Sequence, residues 1–485
     1  ALPIFINIQE ALGEQDNFIK NQIWLRGQAY EIEQLFKTLK PIDFKCFWGS
    51  TTKERIIKKH TGLPGLIVQV LSNITVRDLN GIKINDNNYQ KIWDDIAKDN
   101  DFYNKLQNRL KIVLAMGEGC FKISFKPNIS KFPIISFVKP TDYDVVYEND
   151  RYKETIFKNT YKINNKEYVL LSTYGYGYIY YNLYDKSGKE VNMSLINETS
   201  NLKDLIFDNS INLAIPFKIW ESDMFENRGK SIFDGKDQSF DSLDECLSQW
   251  IDALRKSRTK QYIPKDFIPK DKNGNLMKLT DDMHEFILID SPRVSSEGNF
   301  QKIEVVQPTL PHSNYLETYM TLLDLCLQGI LSPSTLGIDV KKLDNAESQR
   351  EKEKMTLYTL NSIKKSLDKF LQSLVYTILK AYDLQLERNT PELEISVEFG
   401  EYANPSFEAV VETMTKAAPG KQVLSFEKIV DELYGDTITD KEKEKEVERL
   451  KELNGLNENI YEENFYEKQV YEEEDRDEEV IIEEE

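Results

Sequence analysis

Arg228-Gly-Lys-Ser231 ends as a phosphate-binding loop ends, with a lysine to reach phosphate oxygens and a hydroxyl to hold Mg2+. The full pattern, G-x-x-x-x-G-K-S/T, needs glycine at position 224, and Met224 stands there. Gly117-Glu-Gly119 opens like a dinucleotide fingerprint, yet the third glycine of that pattern would fall at Lys122. His60, His284 and His312 lie far apart, and none stands in an H-x-x-x-H or H-E-x-x-H context. Metal ligation or a nucleophilic triad would need distant partners. Cys46, Cys120, Cys246 and Cys326 have no knuckle spacing and read as reduced thiols of a cytoplasmic protein. Carboxylate pairs abound, but among 82 acidic residues chance pairing carries no information. No catalytic residue, cofactor site or metal site is expected, and the chain reads as a non-enzyme.

The run Thr173 to Tyr184 is dense in tyrosine. Stacking platforms for single-stranded nucleic acid use such aromatics in basic grooves, and this run contains no basic residue. Tyrosine also forms strands readily, so the run is read as strand.

The chain has 485 residues, enough for more than one domain. It contains no apolar stretch long enough to span a bilayer, and its opening ALPIFINIQE has no basic region followed by an apolar core, so neither a membrane segment nor a secretory leader is expected. From 457 to 485 there are 14 acidic residues against Lys468 and Arg476, a net of −12 out of the whole chain's −20, leaving −8 for the rest. A block of like charge repels itself and stays solvated.

The elements that position these residues are legible in their periodicity. A helix is expected from Glu14 to Leu39. Thr51 and Glu54 have capping-box spacing and open a second helix through Ile56, Ile57 and His60 that stops at Gly62 and Pro64. A third follows from Pro64 to Ile74, and a helical pair spans Asn88 to Met116. The period then changes to two, with Phe121, Ile123, Phe125 and Ile134 to Val138, and the chain reads as mostly strand as far as Trp220.

Phe240, Leu243, Leu247, Trp250 and Leu254 recur at spacings of three and four, which places them on one helix face. Asp241, Asp244, Glu245, Ser248 and Asp252 fall on the other side, read as wet. A second helix, Ser313 to Gln328, is apolar almost all round and must be covered on most sides. Between these two helices, Gln261 to Pro308 has strand and turn chemistry, including the Asn273-Gly274 turn signal. After them come Leu331 to Asp344, punctuated by Ser-Pro and Gly, and then the longest helical pattern, Ala346 to Leu384, roughly 58 Å if unbroken. A strand from Leu393 to Phe399 and a helical segment ending near Leu453 follow.

This order, with Pro216-Phe-Lys-Ile-Trp-Glu-Ser222 leading into Arg228-Gly-Lys-Ser-Ile-Phe-Asp234 and Ser242-Leu-Asp244, and with Ser332-Pro-Ser-Thr-Leu-Gly337 ahead of the long helix, resembles the portal proteins of tailed bacteriophages, in particular those of long-tailed phages of Gram-positive hosts. Gly62-Leu-Pro64 and Pro140-Thr-Asp142 extend the resemblance over nearly the whole chain; order and spacing carry it rather than any one motif.

The resemblance implies an α+β portal fold: a wing over 1–230, a first stem helix over 231–260, a strand-rich clip over 261–308, a second stem helix over 309–329, and a tunnel loop over 330–346. A long helix and wing strand over 347–400, a helical crown over 401–456 and an acidic tail over 457–485 would complete it. It further implies a homo-oligomeric ring, expected to be a dodecamer, at one capsid vertex of the virion, assembled in the host cytoplasm. Double-stranded DNA would pass through it, and the terminase large subunit, then the head-tail adaptor, and the major capsid and scaffolding proteins would be its partners. Lys341 and Lys342 are the expected DNA-facing residues of the tunnel loop, Lys265, Lys270 and Lys272 the expected partner contacts of the clip, and Phe240, Leu243, Leu247, Trp250 and Leu254 the packing residues of the stem. The alternative is a non-viral ring or scaffold protein without enzymatic activity.

Overall fold

The computed structural model describes residues 12–38, 46–50, 56–257, 259–264, 268–270, 272, 274, 284–289, 304–306, 309–338, 346–400, 426–427, 430 and 440–453. The chain divides into two compact units, Ala1–Gly400 and Glu401–Glu485. Mixed helix and sheet make it an α+β protein.

The first unit opens with α1 (Glu14–Arg26) and α2 (Ala29–Thr38) where one helix was expected. The break is at Gly27, whose φ of 64° lies in the left-handed region that side chains with a Cβ avoid, and whose N–H caps Ile23 O. Residues 56–60 are not helical either, and Thr51 and Glu54 lie outside the described residues. Next come α3 (Leu63–Arg77), β1 (Leu79–Ile84), α4 (Asn87–Asp99) and α5 (Phe102–Met116). Asp86 caps α4 by accepting from the N–H groups of Asn88 and Tyr89. Ile67 and Leu71 of α3 and Leu110, Val113 and Leu114 of α5 are essentially without exposure, and their branched side chains seat α3 on α5.

β2 (Glu118–Ser124), β3 (Ile134–Val138) and β10 (Ala214–Lys218) form one antiparallel sheet with β2 in the centre. Between β3 and β10 the chain lays down a meander of β4 (Tyr143–Glu148), β5 (Arg151–Ile163), β6 (Lys166–Gly175), β7 (Tyr178–Asp185) and β8 (Glu190–Val191), with β9 (Leu205–Ile206) against β7. The tyrosine-rich run is the β6–β7 hairpin: Tyr174 is buried edge-on to Phe157, and the Tyr178 hydroxyl donates to Glu154 at 2.6 Å.

α6 (Asp237–Lys256) leads into β11 (Thr259–Pro264), β12 (His284–Ile289) and β13 (Glu304–Val306), after which α7 (His312–Leu327) returns along α6. β11 is the middle strand, parallel to β12 and antiparallel to β13. Of the expected Asn273-Gly274 turn, Gly274 has a φ of 82° and Asn273 lies outside the described residues.

α8 (Ala346–Gln385) is 40 residues long, about 60 Å at 1.5 Å per residue. Its stripe of Leu360, Ile363, Leu367, Leu371, Leu374 and Ile378 has no exposure at all. Phe370 in the same stripe stacks on Phe217 at 4.2 Å and tilts against Phe121 at 4.9 Å, which fastens the helix to the β2–β3–β10 sheet. Each such burial contributes about 1.5–3 kcal/mol. β14 (Ile395–Phe399) then pairs antiparallel with β1. In the second unit, α9 (Asp440–Leu453) buries Val447, and Lys451 pairs with Glu427 at 2.9 Å.

Candidate interaction surface

The α6–α7 hairpin is rooted by carboxylates. On the face of α6 expected to be wet, Asp241 and Asp244 are 7% and 0% exposed, and Ser248 is 1% exposed. Asp241 accepts the N–H groups of Phe47 at 2.8 Å and Trp48 at 3.0 Å. Asp244 accepts from Trp48 Nε1 at 3.0 Å, Thr61 N at 2.8 Å and Thr61 Oγ1 at 3.0 Å, and meets His60 Nδ1 at 2.7 Å. Ser248 Oγ accepts from Lys59 N at 2.8 Å. One turn before, Asp237 takes Lys20 Nζ at 2.6 Å and Trp24 Nε1 at 3.1 Å. Buried carboxylates persist only where donors replace the lost water, and Phe47, Trp48, His60 and Thr61 supply those donors to Asp241 and Asp244. This is also why 56–60 is not helical: its backbone is recruited by α6. Burial pushes the Asp241 carboxyl up; the Trp48 and Phe47 N–H groups pull it back, and the Asp244 charge pushes it up further.

The apolar stripe of α6 runs from core to surface. Phe240 and Leu243 are buried, Leu247 and Trp250 are half-buried, and Leu254 is 50% exposed. Trp250 lies among the rings of His312, Tyr315 and Tyr319, at 5.3, 6.1 and 6.3 Å. At the other end of the hairpin, Lys236 Nζ donates to Leu325 O at 3.0 Å and Gln328 O at 2.8 Å, satisfying carbonyls that the end of α7 leaves open. The two helices are therefore antiparallel. α7 was expected to be apolar almost all round, but its exposed face is mostly polar, with His312, Ser313, Asn314, Glu317, Thr318 and Thr321; Leu323, Cys326 and Leu327 are buried, and Leu316 and Leu325 remain 42% and 46% exposed.

In the strand module, Lys270 and Lys272 are exposed. Lys265, Lys341 and Lys342 lie outside the described residues. The start of the segment after α7 is anchored: Leu331 and Ser332 are buried, Ser332 N donates to Thr356 Oγ1 of α8 at 2.7 Å, and Pro333–Leu336 form a 3-10 turn closed by Gly337.

The two incomplete phosphate motifs meet each other. Gly117 and Gly229 cross so tightly that a Cβ on either would stand within 3.0 Å of the other's carbonyl group. Glu118 accepts Gly229 N at 2.7 Å and Tyr143 Oη at 3.0 Å, and pairs with Arg228 at 3.2 Å; Arg228 also pairs with Glu14. Burial pushes the Glu118 carboxyl up, with Arg228 and the Gly229 N–H pulling it down. These glycines serve a backbone crossing, and the neighbouring Lys230 reaches Asp223. Among the described residues no group of three or more His, Cys, Asp or Glu is placed to hold a metal ion, and no helix is long and apolar enough to cross a membrane. The four cysteines are free and buried.

No protein-family model matches the chain, and no curated protein matches it. Among solved structures it is similar to a chain in the virion of a native gene transfer agent particle, at 10% identity over 76% of this chain and 89% of that one, with a TM-score of 0.37. It is also similar to a chain in the neck of the native particle computed with C12 symmetry, at 10% identity over 79% and 89%, TM-score 0.39. A third is in the neck of the empty particle computed with C6 symmetry, at 10% identity over 76% and 88%, TM-score 0.38. Likeness at this level carries no part of the functional reading below.

The carboxylate root is what periodicity alone missed. Asp237, Asp241, Asp244 and Ser248 follow each other at four, three and four, the same helical spacing as the apolar stripe. A polar stripe that regular is a signal, but its donors are Trp48, Lys59, His60 and Thr61, nearly 200 residues away in sequence.

Proposed function

We propose that the chain is the repeating subunit of a portal-like ring at a phage head-tail junction, a structural part rather than a catalyst, with duplex DNA passing through its channel. The observation that carries this reading is the α6–α7 hairpin, firmly rooted at one end and bearing apolar residues, Leu316, Leu325 and Leu254, that a single chain leaves exposed. Neighbouring copies around a ring would cover them. The order of elements supports the same reading: hairpin, strand module between its helices, anchored turn, and a 40-residue helix.

Charge fits a conduit better than a tight binder. Proteins that grip DNA neutralise phosphates with lysine and arginine, whereas this chain carries a net −20. A mainly acidic wall keeps a polyanion centred and mobile, with Lys341 and Lys342 as its few basic contacts. In this reading Lys265, Lys270 and Lys272 meet the terminase motor and later the adaptor, the remaining surface meets capsid and scaffolding proteins, and the ring resides in the virion after assembly in the host cytoplasm.

Electron microscopy of the purified protein, with mass photometry for the subunit count, tests the reading. Closed rings of about a dozen copies with a hole wide enough for a duplex are expected. A compact dimer, or nucleotide hydrolysis by the pure protein, would overturn it.

A further inference from the structure

Lys122 on β2 has an unusual environment. Its Nζ sits over the ring of Phe157 at 4.7 Å and over that of Tyr174 at 4.8 Å, and no carboxylate among the described residues pairs with it. The side chain is half-buried. It opens on a cavity of about 980 Å³ between the β2–β3–β10 sheet and the meander, whose lining includes Ser172 and Tyr181.

We propose that Lys122 is a site of covalent modification, its amine being this chain's preferred acceptor of a small acyl group from an acyl phosphate or thioester. The Nζ lone pair attacks the carbonyl carbon, the new N–C bond forms as the C–O or C–S bond breaks, phosphate or thiolate leaves, and the amine proton passes to solvent. A desolvated lysine in an apolar slot is an activated nucleophile. The slot also favours the product, because a neutral amide replaces a cation that no carboxylate among the described residues pairs with.

The titration of the amine agrees with the geometry. Burial pushes it down to about 8, and Lys126 pushes the same way. Tyr174, Cys120 and Lys126 act on it directly, and the other titratable groups lining its cavity are Tyr161 and Tyr181 on the meander and Glu198 and Lys203 in the segment before β9. An amine so placed is in good part neutral at a pH where exposed lysines are almost wholly charged.

The probe is acetyl phosphate at limiting concentration on the full chain, with the acetylated fraction of every lysine read by peptide mass spectrometry between pH 7 and 9.5. Lys122 should react about tenfold faster than Lys83 and Lys186 at pH 7.5, and its rate should level off near pH 9 while theirs keeps rising. In Lys122→Arg, which keeps the charge, the fast phase of acetyl uptake by the intact protein should vanish, with the melting curve checked for folding. A rate at Lys122 no greater than at the exposed lysines, or a fast phase that survives in Lys122→Arg, would overturn the proposal.

Discussion

Gly117 and Gly229 cross so closely that a Cβ on Gly229 would stand 2.7 Å from the Gly117 carbonyl carbon, and one on Gly117 2.8 Å from the Gly229 carbonyl carbon. The contact is backbone on backbone, so no rotamer change can relieve it. It brings the end of α5 to the segment that leads into α6, and Ile232 N donates to Leu114 O at 3.0 Å beside it. Gly229→Ala should therefore cost about 3 kcal/mol, as overpacking with a forced backbone shift does. Urea unfolding followed by circular dichroism reads this directly, and a loss under about 0.5 kcal/mol, the ordinary surface value, would mean that the crossing is pliable.

What could be read from sequence depended on whether the partner was near. α6, α7 and α8 announced themselves because a helix carries its own periodicity, and the meander because hairpin strands alternate beside neighbours only a few residues away. β1 stayed unread because its partner β14 begins more than 300 residues later. Residues 56–60 look helical in composition, yet the N–H groups of Lys59 and Thr61 bond Ser248 and Asp244 instead of a helical carbonyl. The near-miss motifs at Gly117 and Arg228 are incomplete in sequence, and nothing in either segment reveals that Gly117 and Gly229 cross each other.

Asp244 should be the most sensitive polar position in the root of the hairpin. Asp244→Ala strands the Trp48 indole N–H, the Thr61 N–H and its hydroxyl in a site with no exposure. Unsatisfied buried donors cost about 1–3 kcal/mol each, so a loss of about 3 kcal/mol or more is expected, with tryptophan fluorescence changing as Trp48 is released. A variant as stable as the parent would show that water replaces the carboxylate freely.

Lys122→Met should stabilise the chain, with a defined pH dependence. The folded amine titrates near 8, below the ordinary 10.5, so its neutral form is the one the fold prefers. Its favourable contribution is present above pH 10.5 and is lost as pH falls through 8. At pH 7 methionine should therefore gain about 1–2 kcal/mol, less than the full shift implies because the Phe157 and Tyr174 rings repay part of the charge. The gain should shrink as pH rises from 8 toward 9.5. Melting temperatures of the two proteins across pH 7 to 9.5 check this, and a constant difference would assign the effect to packing alone.

Replacing Lys341 and Lys342 together by alanine should leave ring assembly intact and impair DNA packaging or retention. Each phosphate contact contributes about 0.9 to the log-log salt slope of duplex binding, so losing both should lower that slope in isolated rings by about 1.8 for each subunit whose loop touches the duplex. Heads assembled with the variant should hold less DNA, and unchanged DNA content would remove these lysines from the channel.

Leu316 and Leu325 separate folding from assembly. Both are more than 40% exposed in the single chain, so a charge at either position is hydrated there and should change its unfolding free energy by no more than about 0.5 kcal/mol. Between copies the same charge would be forced out of water against an apolar neighbour, at several kcal/mol per interface. Around a closed ring that cost recurs at each contact. Leu316→Glu and Leu325→Glu should therefore melt like the parent and remain monomeric by mass photometry. Rings that form normally from both variants would place the subunit contact elsewhere and take away the observation on which the ring reading chiefly rests.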